Sequence, residues 1–480
     1  MQPLGPGVVV VPALLPWLSE QRGEQPVVEV EPQTLWSLQL DGGQRRYLLN
    51  RELFRRIVDL PNRKLVHSVG LPFGGPQPAA PEQIALIAEM SEALGTPWVS
   101  DHLSFNAFRD GDGWSNTGFF LPPRQTEASA QAAAQKIREL STALGRPVAF
   151  ETGVNYLRPH EDEMNDGDFF ARVARLAGSG ILLDVHNLWI NECNGRQRAA
   201  DVLAALPLDR VWELHVAGGT ELNGFALDAH CGPVPEAVWE LADAWVPRMP
   251  NLGAIIFEVL DDHASRLGVR VLDNQWERLQ ALWSRRAHAD IRVTMSPIRA
   301  REPITRHVDE EWERTLAEAA IGRAPAGKML ACDPGLALFR ELIFDTRAGF
   351  VAQGLRYSMT LLLSALGPRD TRELLSQYAA TTPPELFASL ESDRFAQFLR
   401  GRLPRVAYLD EVLAYEHALV RASLYGEASS VTFTHDPAEL LDGLDRGQVP
   451  QALSSMTVSL LVAGQEGDRP GEPSMRERSE

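Results

Sequence analysis

Eight ionisable residues spread through the first 260 positions have the types and placement to hold metal ions together: His67, His102, Glu151, Asp184, His215, Asp228, His230 and Glu258. Most of them close or nearly close an apolar run (KLVH, WVSDH, VAFE, ILLD, VWELH, IIFE), where an unpaired ionisable group is costly to bury. A shared partner of positive charge removes that cost. Four imidazoles and four carboxylates exceed the roughly four to six ligands that one ion accepts, so the set suits more than one ion, with carboxylates able to bridge. The donor types fit iron, manganese or zinc; magnesium fits poorly, because imidazole is a weak partner for so hard a cation. Taken singly, each residue also reads as a satisfied structural histidine or a salt bridge inside the fold. Their joint placement carries the argument. His160, His186, His263, His288, His307, His417 and His435 lack that placement and read as structural or solvated, His186 beside Asp184 being the nearest exception.

The elements that must position these residues are short β-rich runs: GVVVVP (7–12), VVEVEP (27–32), KLVHSVG (64–70), PWVSDHL (97–103), PVAFET (147–152), GILLDVHN (180–187), RVWELHVAG (210–218) and GAIIFEV (253–259). Between several of them lie stretches of helical periodicity, such as PEQIALIAEMSEAL and ASAQAAAQKIRELSTAL. Eight near-continuous apolar strands alternating with helices predict an α/β fold, a (β/α)8 TIM barrel whose active site is built at the C-terminal ends of the strands. A doubly wound open sheet shares the alternation, but no GxGxxG follows an early strand. The predicted barrel occupies residues 1–283, and a basic, broken stretch at 284–303 reads as a linker. Residues 304–464 then read as a mostly helical domain with one short β run, SSVTFTHDP, before a last helix near 437–444. The Gly/Pro/charge-rich residues 465–480 read as a disordered tail.

Composition narrows the function classes. In 480 residues, 46 Lys+Arg against 64 Asp+Glu give a net charge of -18, the wrong sign for a chain that lives on phosphate backbones, so no nucleic-acid partner is expected. Cys193, Cys231 and Cys332 have no CxxC spacing, which leaves neither a disulfide framework nor a zinc–thiolate site. Cys231 adjoins His230 but reads first as a small buried thiol. The apolar run Val8–Leu18 is broken by Pro12 and Pro16 and lacks a preceding basic residue, unlike a secretory signal. No stretch approaches the roughly 20 apolar residues that span a bilayer. A cytoplasmic protein without a membrane partner is expected.

In order and spacing, HSVGLPFGG, VSDHLSFN, FETGVNYL, LLDVHNLWIN, ELHVAGG, DAHCGPVPEAVW and IIFEV resemble the multinuclear non-haem iron-dependent oxidative enzymes (MNIO), the group that includes the methanobactin-biosynthesis B subunit. The resemblance covers roughly residues 60–285. It implies a TIM barrel holding two or three irons, Fe(II) and Fe(III), that uses O2 as cosubstrate to modify a residue, often cysteine, in a ribosomally made precursor peptide (a RiPP). Its ligand positions fall on His67, His102, Glu151, Asp184, Asn187, His215, Asp228, His230 and Glu258, with the catalytic roles on Glu151, Asp184 and His215. It implies one ion on His67, His102 and Glu151, a second on Glu151, Asp184, His215 and Glu258, and a third on Asn187, Asp228 and His230, Glu151 bridging.

Three departures bear on substrate more than on metal. The family's Glu-Asn-Tyr run appears as VVEVEPQTLW, its Leu-Glu-Asn as FET, and its Asp-Val-Asn-Asn as Asp184-Val185-His186-Asn187. The helical stretch FAQFLRGRLPRVAYLDEVLAYEHALVRA and the following FTHDPAELLDGLDRGQVP are similar to the separate partner protein that helps such enzymes hold the precursor peptide, here fused. The rival reading is a zinc or other divalent-metal hydrolase or isomerase of the endonuclease IV or xylose isomerase type, which uses a similar order of His, Glu and Asp with a DxH. Against it stand the net charge and Asn187, where the zinc endonuclease pattern has a histidine.

Overall fold

The computed structural model describes residues 3–21, 25–287, 307–402 and 404–463. Eight parallel strands close into a barrel: β1 (Gly5–Val9), β2 (Val27–Val30), β3 (Lys64–His67), β4 (Val99–His102), β5 (Val148–Glu151), β6 (Gly180–Asp184), β7 (Val211–Ala217) and β8 (Ala254–Glu258). Each pairs with its sequence neighbours and β8 closes on β1. Strands β5 and β8 are buried along their whole length, as expected where helices cover the outside of a parallel sheet.

The barrel interior is layered. At the N-terminal end lies an apolar plug of Val9, Val27, Leu65, Trp98, Ala149, Trp212, Ala254 and Ile256. Glycine admits the two indoles: a Cβ at position 180 would meet the Trp212 ring at 2.1 Å, and one at 253 would meet Trp98 at 2.7 Å. A larger cluster outside the strands joins them to the surrounding helices, including Pro81–Leu94, Glu127–Leu144, Asp166–Ala177 and Val269–Ser284.

The run 180–187 is not one strand. It turns into the helix Val185–Cys193 because the Asp184 side chain accepts the Asn187 N–H at 2.8 Å and caps the first turn. Hairpins absent from the sequence expectation occupy Trp36–Asp41 with Gln44–Leu49, Phe105–Asp110 with Gly113–Leu121, and Thr220–Leu222 with Phe225–Leu227.

After the barrel come the helices His307–Ala320, Lys328–Ala331, Pro334–Gly354, Arg356–Thr381, Ala388–Arg400 and Leu409–Tyr425, the third of the long ones broken at Gly367–Pro368. The strand Ser429–His435 pairs antiparallel with Ser455–Val462, with the helix Pro437–Asp445 between them. Most of the 284–303 linker, His288 and the 465–480 tail lie outside the described residues. Among the described residues no helix is long and apolar enough to cross a membrane.

The C-terminal helices roof the barrel mouth. Leu316, Leu336, Phe339 and Ile343 share a core with Tyr156, Leu157, Ile190 and Leu227 from the loops and helices at the strand ends. Asp333 caps the helix Pro334–Gly354 by accepting the Gly335 N–H at 2.9 Å, and its other oxygen accepts the Arg158 N–H at 2.9 Å. Gly335 lies so close to Tyr156 that a Cβ would stand 2.2 Å from the Tyr156 carbonyl oxygen. Gly335→Ala is therefore expected to force the roof outward and cost about 1–3 kcal/mol, read as a lowered urea midpoint; an unchanged midpoint would mean that this contact yields freely.

Candidate metal centre

The parallel register brings the strand-end residues together. His102 is aligned with Glu151 across β4 and β5, and Asp184 with His215 across β6 and β7. His67 Nε2 lies 3.3 Å, and His102 Nε2 3.1 Å, from Glu151 Oε2. His215 Nδ1 lies 3.1 Å, and His230 Nε2 3.3 Å, from Glu258 Oε2; His230 Nε2 is also 2.9 Å from Asp228 Oδ1. Two groups have ligand atoms mutually within 4.8 Å: His67, His102 and Glu151, and Glu151, Asp184, His215 and Glu258. Glu151 belongs to both.

These contacts are close without being hydrogen bonds. Glu151 Oε2, Asp184 Oδ2, Asn187 Oδ1, His215 Nδ1, Asp228 Oδ1, His230 Nε2 and Glu258 Oε2 are all buried with no hydrogen-bond partner, and buried polar atoms are seldom left so. Two donor atoms each about 2.1 Å from one ion and about 90–109° apart lie about 3.0–3.4 Å from each other, which matches the spacings above. The residues present therefore fit a multinuclear metal centre.

Without an ion the cluster balances itself with protons. Burial opposes a charged His102, but Glu151, Asp101 and Glu258 outweigh it and push the imidazole up to about 9. Burial likewise opposes charge on His215 and His230, and the carboxylates facing them (Glu258 and Glu29; Asp228 and Glu258) hold both well above the ordinary range. Asp184 lies among Asp228, Glu151 and Glu258, and burial together with those charges drives its carboxyl well up.

Exposure is uneven. His67, Glu151, Asp184, His215 and Glu258 are essentially closed off, whereas the side chains of His102, Asp228 and His230 are 22%, 21% and 24% exposed. Phe120, from the second strand of the hairpin beside β4, stacks on the His102 ring at 4.6 Å. The backbone N–H of Asp228 donates to the Tyr156 hydroxyl at 3.2 Å, which ties this edge to the roof helix through the Tyr156–Phe339 contact. His230 has a backbone φ of 44°.

Asn187, an expected ligand, and several unexpected neighbours line the cluster. Asn187 sits in the first turn after Asp184, its Nδ2 3.5 Å from the Thr152 carbonyl. His186 is fully buried, with Nδ1 3.4 Å from Asp228 Oδ1, so it faces the site from behind. Below the ligands, Glu29 and Glu213 are buried beside His215 and form with it a third group of mutually close donors. Burial pushes Glu29 well up, while for Glu213 the opposing burial is outweighed by the neighbouring His215 and the Trp98 Nε1–H, which lower it. Glu31, just past β2, is pushed up by burial, with His67 pulling it back. Two other histidines sit in the C-terminal helical region: His417 pairs with Asp393 at 2.8 Å and His435 with Glu411 at 2.7 Å. Cys231 is half-buried, and burial raises its thiol.

The family model described as RiPP precursor modification enzyme MbnB/TglH/ChrH matches residues 21–273. A UPF0276 protein of Anaeromyxobacter sp. (strain Fw109-5) is 32% identical over 211 residues, covering 44% of this chain and 72% of that protein. One of Chromobacterium violaceum is 34% identical over 187 residues, covering 39% of this chain and 66% of that protein. Among solved structures, a xylose isomerase domain protein from Planctomyces limnophilus aligns with a TM-score of 0.37 at 13% identity, over 59% of this chain and 98% of that one. A xylose isomerase domain containing protein from Salmonella typhimurium aligns at 0.39 and 13%, over 59% and 99%.

Proposed function

The chain belongs to the family of RiPP precursor modification enzymes MbnB/TglH/ChrH, and from that premise we propose that it oxidatively modifies a residue of a ribosomally made precursor peptide, using two or three irons at the barrel mouth and dioxygen as cosubstrate. The observation that carries this reading is the cluster of buried, unpartnered imidazole and carboxylate atoms shared between two groups through Glu151. Four carboxylates (Glu151, Asp184, Asp228, Glu258) with neutral imidazoles bring about four negative charges into one buried pocket. A single divalent ion neutralises half of that; two ions neutralise it.

His67, His102 and Glu151 would hold one ion, and Glu151, Asp184, His215 and Glu258 a second; Asp228 and His230, with Asn187, would serve a third. Bound iron supplies the electrons that dioxygen activation needs. The chain's residues do the rest. The buried side of the cluster excludes water from the irons, and the exposed edge formed by His102, Asp228 and His230 is the face from which a peptide side chain approaches. Phe120 walls that edge. Cysteine is the residue we propose as target, and the helical region after residue 304, which roofs the mouth, is proposed to hold the precursor in place of a separate partner protein.

Metal analysis of the anaerobically purified chain by inductively coupled plasma mass spectrometry, with Mössbauer or electron paramagnetic resonance spectra, tests the reading. Two or three irons per chain and dioxygen uptake on adding the precursor peptide are expected. Stoichiometric zinc that resists exchange for ferrous iron would replace this reading with metal-assisted hydrolysis.

A further inference from the structure

Two of the ligand histidines turn their second ring nitrogens toward the same buried layer. His215 presents Nδ1 to Glu258 and Nε2 to Glu29 Oε2, 3.1 Å away, with Glu213 Oε1 at 3.9 Å from that nitrogen. His67 presents Nε2 to Glu151, while its Nδ1 lies 2.9 Å from Ser100 Oγ. Ser100 Oγ in turn donates to Glu213 Oε2 at 3.5 Å, an oxygen that also accepts the Trp98 Nε1–H at 2.8 Å. Glu29, Ser100 and Glu213 are 0% exposed, so no bulk water stands in for any of these partners.

An imidazole nitrogen offers its lone pair to an ion only when the ring proton sits on the other nitrogen, and that N–H needs an acceptor. The acceptor for His215 is Glu29. For His67 it is the Ser100 oxygen, which can accept because its own hydrogen goes to Glu213. The donors run in one direction, from His67 through Ser100 to Glu213, and a separate bond runs from His215 to Glu29.

We propose that Glu29 and Glu213 are positioning residues that fix which nitrogen of His215 and of His67 faces the metal, Glu29 acting on the Asp184/His215/Glu258 ion and Glu213, through Ser100, on the His67/His102/Glu151 ion. Glu213 also lies beside His215, so the carboxylate layer joins both positions from below. This inference rests on the reading of the mouth as a centre of at least two ions.

The test is an anaerobic titration of the metal-free full-length chain with Co(II), whose visible bands report coordination geometry, in competition with a chromogenic chelator. Glu29→Leu keeps the volume but removes the oxygen that accepts the His215 Nε2–H; it is expected to weaken one binding step by about 10–100-fold and shift its spectrum, leaving the other step within about threefold. Ser100→Ala is expected to weaken the opposite step by a similar factor and leave the Glu29-dependent one in place. Glu213→Gln is expected to weaken both. Matched circular dichroism of the metal-free variants separates these effects from misfolding, and Ser100→Ala, which only deletes a hydroxyl, keeps the test alive if Glu213→Gln does not fold. Folded variants that bind both ions as the wild type does, or that lose both steps equally, would overturn the positioning role alone. A wild-type chain that takes up no second ion would overturn the multinuclear reading and this inference with it.

Discussion

Glu151→Gln is expected to empty both tight ion positions and to lower turnover of the precursor peptide by about 10³-fold or more. Glu151 is the one residue common to the two groups, and its Oε2 stands 3.3 Å from His67 Nε2 and 3.1 Å from His102 Nε2. Glutamine keeps the volume but offers one neutral oxygen, and its amide nitrogen is no ligand. Several kcal/mol of stabilisation supplied through the metal disappear with it, and each 1.36 kcal/mol is about tenfold in rate. The metal-free variant should stay folded, because glutamine keeps the volume and the imidazoles that faced Glu151 can shed their protons. Metal content and dioxygen consumption measured on one preparation check both halves, and a variant that kept its irons and its rate would sink the bridging role.

Removing the metal from the wild-type chain is expected to lower its melting temperature by about 15 °C or more. An ion that binds only the folded state stabilises it by about 4 kcal/mol when present at about 1,000 times its dissociation constant, so two sites contribute about 8 kcal/mol. On a barrel of some 250 residues each kcal/mol moves the midpoint by about 2–4 °C. The reason for so large a dependence is on the strands: Glu151, Asp184, His215 and Glu258 are buried, and in the metal-free chain only protonated imidazoles oppose the carboxylates. With 11 tryptophans, two of them at the base of the barrel, intrinsic fluorescence follows the transition. A shift below about 2 °C on chelation would mean that these groups satisfy one another without an ion.

The barrel was legible because a parallel strand buried on both faces is written as an unbroken apolar run, and because six of the eight runs ended or nearly ended on a residue that such a run does not tolerate unless something pairs it. The core of KLVH, VAFE and IIFE coincides with β3, β5 and β8. ILLDVHN misled at its end, since an aspartate that follows an apolar strand is also a helix cap, and Asp184 is both. The second layer was harder. Glu29 interrupts VVEV and Glu213 lies two residues before His215 on the same strand face, so period-two geometry points both carboxylates into the barrel interior, but neither stands at a strand end where ligands are expected. His186 carries a weaker signal still, because its approach to Asp228 depends on the hairpin Thr220–Leu222 with Phe225–Leu227, closed by an Asn-Gly turn. In the C-terminal region SSVTFTH was seen and its partner Ser455–Val462 was not, since an exposed two-stranded ribbon buries too little to mark its second strand.

His230 is held in an uncommon backbone conformation. At φ 44° it occupies the left-handed region, where glycine or asparagine fits with little penalty and histidine pays about 1 kcal/mol or more. A histidine there gives up a little local stability to place its ring nitrogen 2.9 Å from Asp228 and 3.3 Å from Glu258. Engineering this barrel for robustness would erase that residue first.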